Sequence, residues 1–98
     1  MPYIAQKDRE LFDETITALA QQIRQASKQY GYDGAFAGLL NYCCTRLALQ
    51  VLPVKRYWSI ALLSGVFRNI GDEFYRRFAV PYEDAQIIKS GDVPEYGA

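Results

Sequence analysis

The fold of this chain is decided by an amphipathic stretch, residues 8 to 30, with the sequence DRELFDETITALAQQIRQASKQY. Its apolar positions recur every three or four residues, at Phe12, Ile16, Leu19, Ile23, Ala26 and Tyr30. That spacing places them on one face of an α-helix. We predict that Asp8 caps the start of this helix and that Gly31, in a left-handed conformation, ends it.

Three further helices are predicted, and prolines and turn residues set their limits. They cover residues 35 to 52, 57 to 78 and 81 to 90, with a loose tail from 92 to 98. Asp33 is the expected cap of the second helix, and Pro53 and Pro81 bound the others because proline cannot continue a helix. The sequence predicts one all-α domain over residues 1 to 98. Its expected architecture is a three-helix antiparallel bundle with a short C-terminal fourth helix folded over one end.

The second helix is apolar on more than one side. Its predicted packing face within the chain consists of Phe36, Leu40, Cys43, Leu47 and Val51. A chain of this length buries only about 60 to 65% of its unfolded surface, too little to cover a second face. We therefore predict a homo-oligomer, most simply a dimer, with an interface formed by Asn41, Thr45, Leu49, Leu52, Tyr57 and Trp58. The alternative is that the fourth helix covers Leu49 and Leu52.

Composition argues against several classes of function. The 98 residues include 11 Lys+Arg and 11 Asp+Glu, for a net charge of +0, and no histidine. Zero net charge removes the long-range field that draws proteins to nucleic acid or membranes, and DNA binding through Lys55, Arg56, Arg76 and Arg77 is a less favoured alternative. Without histidine the commonest general base and zinc ligand are missing. We expect no catalytic residue, no metal and no cofactor.

The uncharged stretches, residues 34 to 45 and 57 to 67, are shorter than the roughly 20 residues that span a bilayer. We therefore expect no membrane contact. The first residues show no export signal, and Cys43 and Cys44 are adjacent, which disfavours a bridge between them. These features predict a cytoplasmic protein with reduced thiols.

Short motifs lie along almost the whole chain: MPYI at residues 1 to 4, NY at 41 to 42, EFYRR at 73 to 77 and PYED at 81 to 84. Together they resemble a family of small phage and bacterial proteins of unknown function. The resemblance implies no catalytic residue. The chain departs from the family pattern at Cys43 and Cys44, so a shared role for the thiols is not expected.

A ligand site is the competing hypothesis, because guanidinium groups bind phosphate or carboxylate through two parallel contacts. The candidate ligand-binding residues are Asn41, Tyr42, Glu73, Tyr75, Arg76, Arg77 and Tyr82. One structural alternative pairs the arginines with Asp72 and Glu73 along the helix. Another is a clasp in which Glu83 or Asp84 binds them, and we favour this clasp over a ligand.

Asn41 is unfavourable inside a helix unless its amide is bonded, so we expect a partner on a neighbouring helix, a second copy or a ligand. On the sequence alone, the favoured function is a self-associating helical interaction or accessory protein of phage or bacterial type. The alternative is a protein that binds a nucleotide or another small anion. An unidentified protein partner is compatible with either function.

Overall fold

The computed structural model describes residues 3 to 97, of which about 84% are helical, with no strand in that range. The prediction of an all-α protein is confirmed. The elements are α1 (Gln6–Tyr30), α2 (Ala35–Val51), α3 (Tyr57–Phe74), a π-helical turn (Tyr75–Ala79), α4 (Val80–Ser90) and α5 (Pro94–Gly97). The chain divides after Pro53 into two compact units. Met1 and Pro2 of the MPYI motif, and Ala98 of the predicted tail, lie outside the described residues.

The first unit is a helical hairpin in which α1 and α2 contact each other. Gly31 ends α1 at φ 79° and ψ 13°, and its N–H donates to the carbonyl of Lys28, which confirms the predicted left-handed cap. The two predicted aspartate caps are wrong. The capping positions are Ala5 and Gly34, and neither makes a side-chain cap bond. Because α1 starts before Asp8, this carboxylate lies in the first turn, where its negative charge interacts favourably with the helix dipole.

The hairpin packs through a different side of α2 from the one predicted. Ala35 is buried and Leu39 and Cys43 are half-buried on α2, and the half-buried residues of α1 are Ala20, Ile23, Ala26 and Ser27. The predicted packing face of α2 is therefore wrong except at Cys43, because Phe36, Leu40, Leu47 and Val51 are exposed. Periodicity could not choose between faces on a helix that is apolar nearly all round. Smaller side chains permit a shorter distance between the helix axes.

In the second unit, α3, the π-helical turn and α4 form one unbroken helical segment, Tyr57 to Ser90, which we call the long helix. The N–H of Val80 donates to the carbonyl of Tyr75, five residues earlier. Pro81 has no N–H, and its ring clashes with the carbonyl four residues earlier in a regular α-helix. The wider π turn accommodates this proline. The expectation that a short fourth helix folds back is therefore wrong. Within the predicted tail, Pro94–Gly97 forms a short helix whose residues are exposed.

Little of either unit is buried. Within residues 3 to 97, only Ala35, Ala48 and Ser59 are buried, and no large side chain is fully enclosed. Glycine inside a helix is destabilising and usually accompanies close contact with another helix, which Gly65 and Gly71 of α3 therefore predict. A Cβ added at Gly65 or Gly71 would meet no atom within 4 Å, so that expectation is wrong for the chain by itself.

Candidate functional site

The polar candidates on α2 bond along their own helix. Thr45 Oγ1 donates to Asn41 Oδ1 at 3.0 Å, so the partner of Asn41 lies one turn away and not on a neighbouring helix. Arg46 Nη1 donates to the Tyr42 hydroxyl at 2.8 Å, and its guanidinium carbon lies 5.7 Å from the ring centroid. Sequence reasoning missed Arg46 as a site residue. Its spacing of four residues from Tyr42 on a helix was the available signal.

The arginines of the EFYRR motif share one carboxylate. Glu73 Oε2 lies 3.8 Å from Arg76 Nη2 and 3.7 Å from Arg77 Nη1. The predicted pair of Glu73 with Arg77 is confirmed, whereas Arg76 pairs with Glu73 and not with Asp72. The predicted clasp with α4 is wrong. Because α4 continues the long helix, the carboxylate one turn before the arginines is the nearer partner.

The PYED motif is instead connected to Tyr75. The Tyr75 hydroxyl donates to Glu83 Oε1 at 3.2 Å, and Glu83 Oε2 lies 3.4 Å away. This bond spans the π-helical turn and Pro81. The hydrogen bond to Glu83, its negative charge and a small desolvation effect all raise the pKa of Tyr75 above its ordinary value. Glu83 is thus a second residue that the candidate list omitted.

We expect Tyr75 to ionise at higher pH than it does in a Glu83→Gln variant. A spectrophotometric titration of the phenolate band checks this, and a Tyr75→Phe variant identifies the signal among the eight tyrosines. A raised folded-state pKa adds stability below the unfolded value of about 10. That contribution is lost as the pH rises through the folded-state pKa of Tyr75. An identical titration in the Glu83→Gln variant would show that the hydrogen bond is absent in solution.

Two shallow grooves lie on the first unit. One, of about 450 Å³, is lined by Tyr30, Tyr32, Ala35, Gly38, Leu39 and Tyr42 at the turn between the helices. The other, of about 430 Å³, is lined by Tyr3, Ile4, Arg9, Phe12, Asp13 and Ile16 beside the start of α1. Here Arg9 Nε donates to the carbonyl of Ile4 at 3.2 Å and its guanidinium lies over the Tyr3 ring. Tyr42 is the one predicted ligand residue in either groove.

The predicted interface residues are mostly accessible. Asn41, Thr45, Leu49, Tyr57 and Trp58 are exposed and Leu52 is half-buried. Across the described part of the chain, no three or more cysteine, aspartate or glutamate side chains are grouped so as to hold a metal ion. The helices in that part are too short or too polar to cross a membrane.

Comparison with known proteins shows a family but no activity. Neither a curated protein nor a solved structure matches the chain. One family model matches residues 1–93, and its description is "Domain of unknown function (DUF6899)". The match covers almost the whole sequence, including the NY, EFYRR and PYED motifs. The chain therefore belongs to the DUF6899 family, a family defined by a domain of unknown function.

Proposed function

We propose that this chain is a small helical interaction or accessory protein of phage or bacterial type. In this proposal it self-associates in the cytoplasm, most simply as a two-fold homodimer. Its antiparallel helical bundle, which the sequence predicts with three helices per chain, is completed by the second copy. The observation that carries the proposal is the set of large apolar side chains exposed on α2.

The low burial of the described residues supports self-association. Within residues 3 to 97 only Ala35, Ala48 and Ser59 are buried. A partner is the usual means of covering a large exposed apolar surface.

The exposed surface on α2 is made of large apolar side chains. Their exposed fractions are 53% for Phe36, 47% for Leu40, 59% for Leu47, 66% for Leu49 and 62% for Val51. Scattered apolar residues are normal on a protein surface, but contiguous patches of this kind mark partner surfaces. This arrangement supports the predicted interface at Leu49 and extends it to the side of α2 that we had assigned to the core.

Sedimentation equilibrium tests the proposal. We expect a mass near twice the 11.2 kDa of the chain at micromolar concentration. Leu49→Asp should shift the protein toward monomer because it places a charge in the interface, while Gln50→Asp on the same helix should leave the mass unchanged. Both residues are exposed in the chain, so neither change removes a buried contact within it. A mass that stays at 11.2 kDa on concentration would overturn self-association.

The second candidate function is anion binding at Arg76 and Arg77. Their side chains are 73% and 65% exposed. Both guanidinium groups pair with the carboxylate of Glu73, at 3.8 Å and 3.7 Å. Direct guanidinium–carboxylate hydrogen bonds are shorter, about 2.7 to 2.9 Å. The two arginines therefore keep donors for a phosphate or carboxylate ligand.

A thermal-shift screen with nucleotides and inorganic phosphate tests anion binding. A ligand at 100 times its Kd should add about 2.7 kcal/mol to the free energy of unfolding. The double variant Arg76→Ala/Arg77→Ala should lose that shift, and Arg68→Ala on the same helix should keep it. No shift with any of these anions would leave the interaction protein as the better account.

A further inference from the structure

Three tyrosines line the groove at the turn of the helical hairpin. Tyr30 ends α1, Tyr32 lies in the turn and Tyr42 lies on α2, and all three are exposed. Each ring has an apolar face and a hydroxyl group, so it can stack on a flat ligand and also form a hydrogen bond. The volume of the groove, about 450 Å³, is in the range of small-molecule sites.

The other lining residues of the groove belong to α2 and leave space in it. Ala35 is buried, Leu39 is half-buried and Gly38 has no side chain. A Cβ added at Gly38 would meet no atom within 4 Å, so the space above this residue is open. A flat group can therefore approach the backbone closely at this point.

Arg46 holds Tyr42 in place and brings a positive charge to the groove. Gly38, Tyr42 and Arg46 are spaced by four residues, so they follow one another along one side of α2. Arg46 Nη1 donates to the Tyr42 hydroxyl oxygen at 2.8 Å. The O–H of Tyr42 is then left to donate, and nothing in the described part of the chain accepts it. The other N–H groups of Arg46 are also available as donors.

The charge of Arg46 is not balanced nearby. Arg46 is the one charged residue between residues 34 and 54. Among residues 3 to 97 no carboxylate pairs with it. An anionic group is therefore electrostatically complementary to this end of the groove, and a cationic ligand is disfavoured.

We propose that this groove binds a planar aromatic ring that carries a phosphate group, which is the chemistry of a mononucleotide. The ring stacks on the tyrosines above Gly38, and the phosphate accepts from the Tyr42 hydroxyl and from Arg46. A phosphate has three oxygens that can accept from both groups at once. Stacking on aromatic side chains tolerates every base, so the site selects for the ring and the phosphate. It lies in the first unit and does not depend on Arg76 or Arg77.

Isothermal titration calorimetry of the full chain with adenosine monophosphate (AMP) tests the proposal. We expect a Kd for AMP at least about ten-fold below that of adenosine or inorganic phosphate, because each of these makes only one of the two contacts. No binding of AMP or of the other common ribonucleoside monophosphates at millimolar concentration would overturn the proposal. A short single-stranded oligonucleotide that binds far more tightly than AMP would also overturn it, since that would indicate a nucleic-acid surface.

Gly38→Leu should close the groove without unfolding the hairpin. The leucine side chain occupies the open space, and leucine is favoured over glycine inside a helix. We expect the Kd of AMP to rise about five-fold or more, as for the loss of a base stacked on an aromatic ring, while the urea midpoint does not fall. Gly38→Ala is the matched control and should raise the Kd less, because a methyl group fills less of the groove. An unchanged Kd in the folded Gly38→Leu variant would overturn the site.

Arg46→Gln separates the phosphate contact from the ring contact. Glutamine keeps an amide donor but loses the charge, so the Kd of AMP should rise about ten-fold while the Kd of adenosine stays the same. Lys7→Gln is the charge control, because Lys7 lies about 35 Å from Tyr30 along α1 and should not affect either Kd. Equal weakening of AMP and adenosine by Arg46→Gln would overturn the phosphate contact.

The double variant Arg76→Ala/Arg77→Ala separates this groove from the anion candidate of the second unit. It should keep the Kd of the unmodified chain for AMP. Loss of AMP binding in this variant, with retention in Gly38→Leu, would overturn the groove and favour the arginine pair.

Discussion

Replacement of Pro81 by alanine should convert the π-helical turn at Tyr75–Ala79 into regular α-helix and stabilise the long helix by up to about 3 kcal/mol. The variant regains a backbone N–H and loses the ring that clashes with the carbonyl of Arg77. We expect stronger helical circular dichroism, a higher urea midpoint at a fixed protein concentration and slower amide exchange from Val80 to Ile88.

The same substitution should change which side of the long helix the later residues occupy. Without the wider turn, the residues after Ala79 rotate with the regular helical period, which moves Tyr82 away from the side that carries Phe74. The matched control is Pro94→Ala, because Pro94 occupies the first position of α5, where proline is well tolerated. A lower urea midpoint for Pro81→Ala than for the control would show that this proline does not cause the π turn.

Gly31→Val should destabilise the hairpin of the first unit by about 1 to 2 kcal/mol. Gly31 has φ 79°, a conformation that a β-branched residue adopts only with strain. Its N–H donates to the carbonyl of Lys28, so a backbone that relaxes away from this φ also loses the bond that ends α1. Urea unfolding followed by circular dichroism measures the change in the free energy of unfolding.

Gly38→Ala is the matched control and should have the opposite sign. Gly38 lies within α2, and a Cβ added there would meet no atom within 4 Å. Alanine in a helix interior is favoured over glycine by up to about 1 kcal/mol. Equal effects of the two substitutions would contradict the left-handed cap, because valine and alanine differ in helix preference by less than the strain expected at a positive φ.

Tertiary structure decided which apolar sides are covered. On α2, local periodicity was ambiguous, and Ala35, Leu39 and Cys43 are more buried than Phe36 and Leu40. Because burial depends on how closely two backbones approach, spacing along one helix cannot assign it. The contacts within the predicted candidate site also differed from those expected. Glu83 accepts a hydrogen bond from Tyr75, and the arginines pair with Glu73.

The sequence by itself determined the helical class, the left-handed end of α1 at Gly31 and the stop of α2 before Pro53, because these depend on local backbone preferences. It also determined the same-helix pair of Glu73 and Arg77, whose spacing is a property of any helix. Only the tertiary structure decided that the helix continues past Pro81, because a π turn and a regular helix end are both compatible with a proline at that position. The sequence pattern had ended the third helix at residue 78. Because the helix continues, the Tyr75 hydroxyl reaches Glu83. Within the same segment, Phe78 stacks on Phe74.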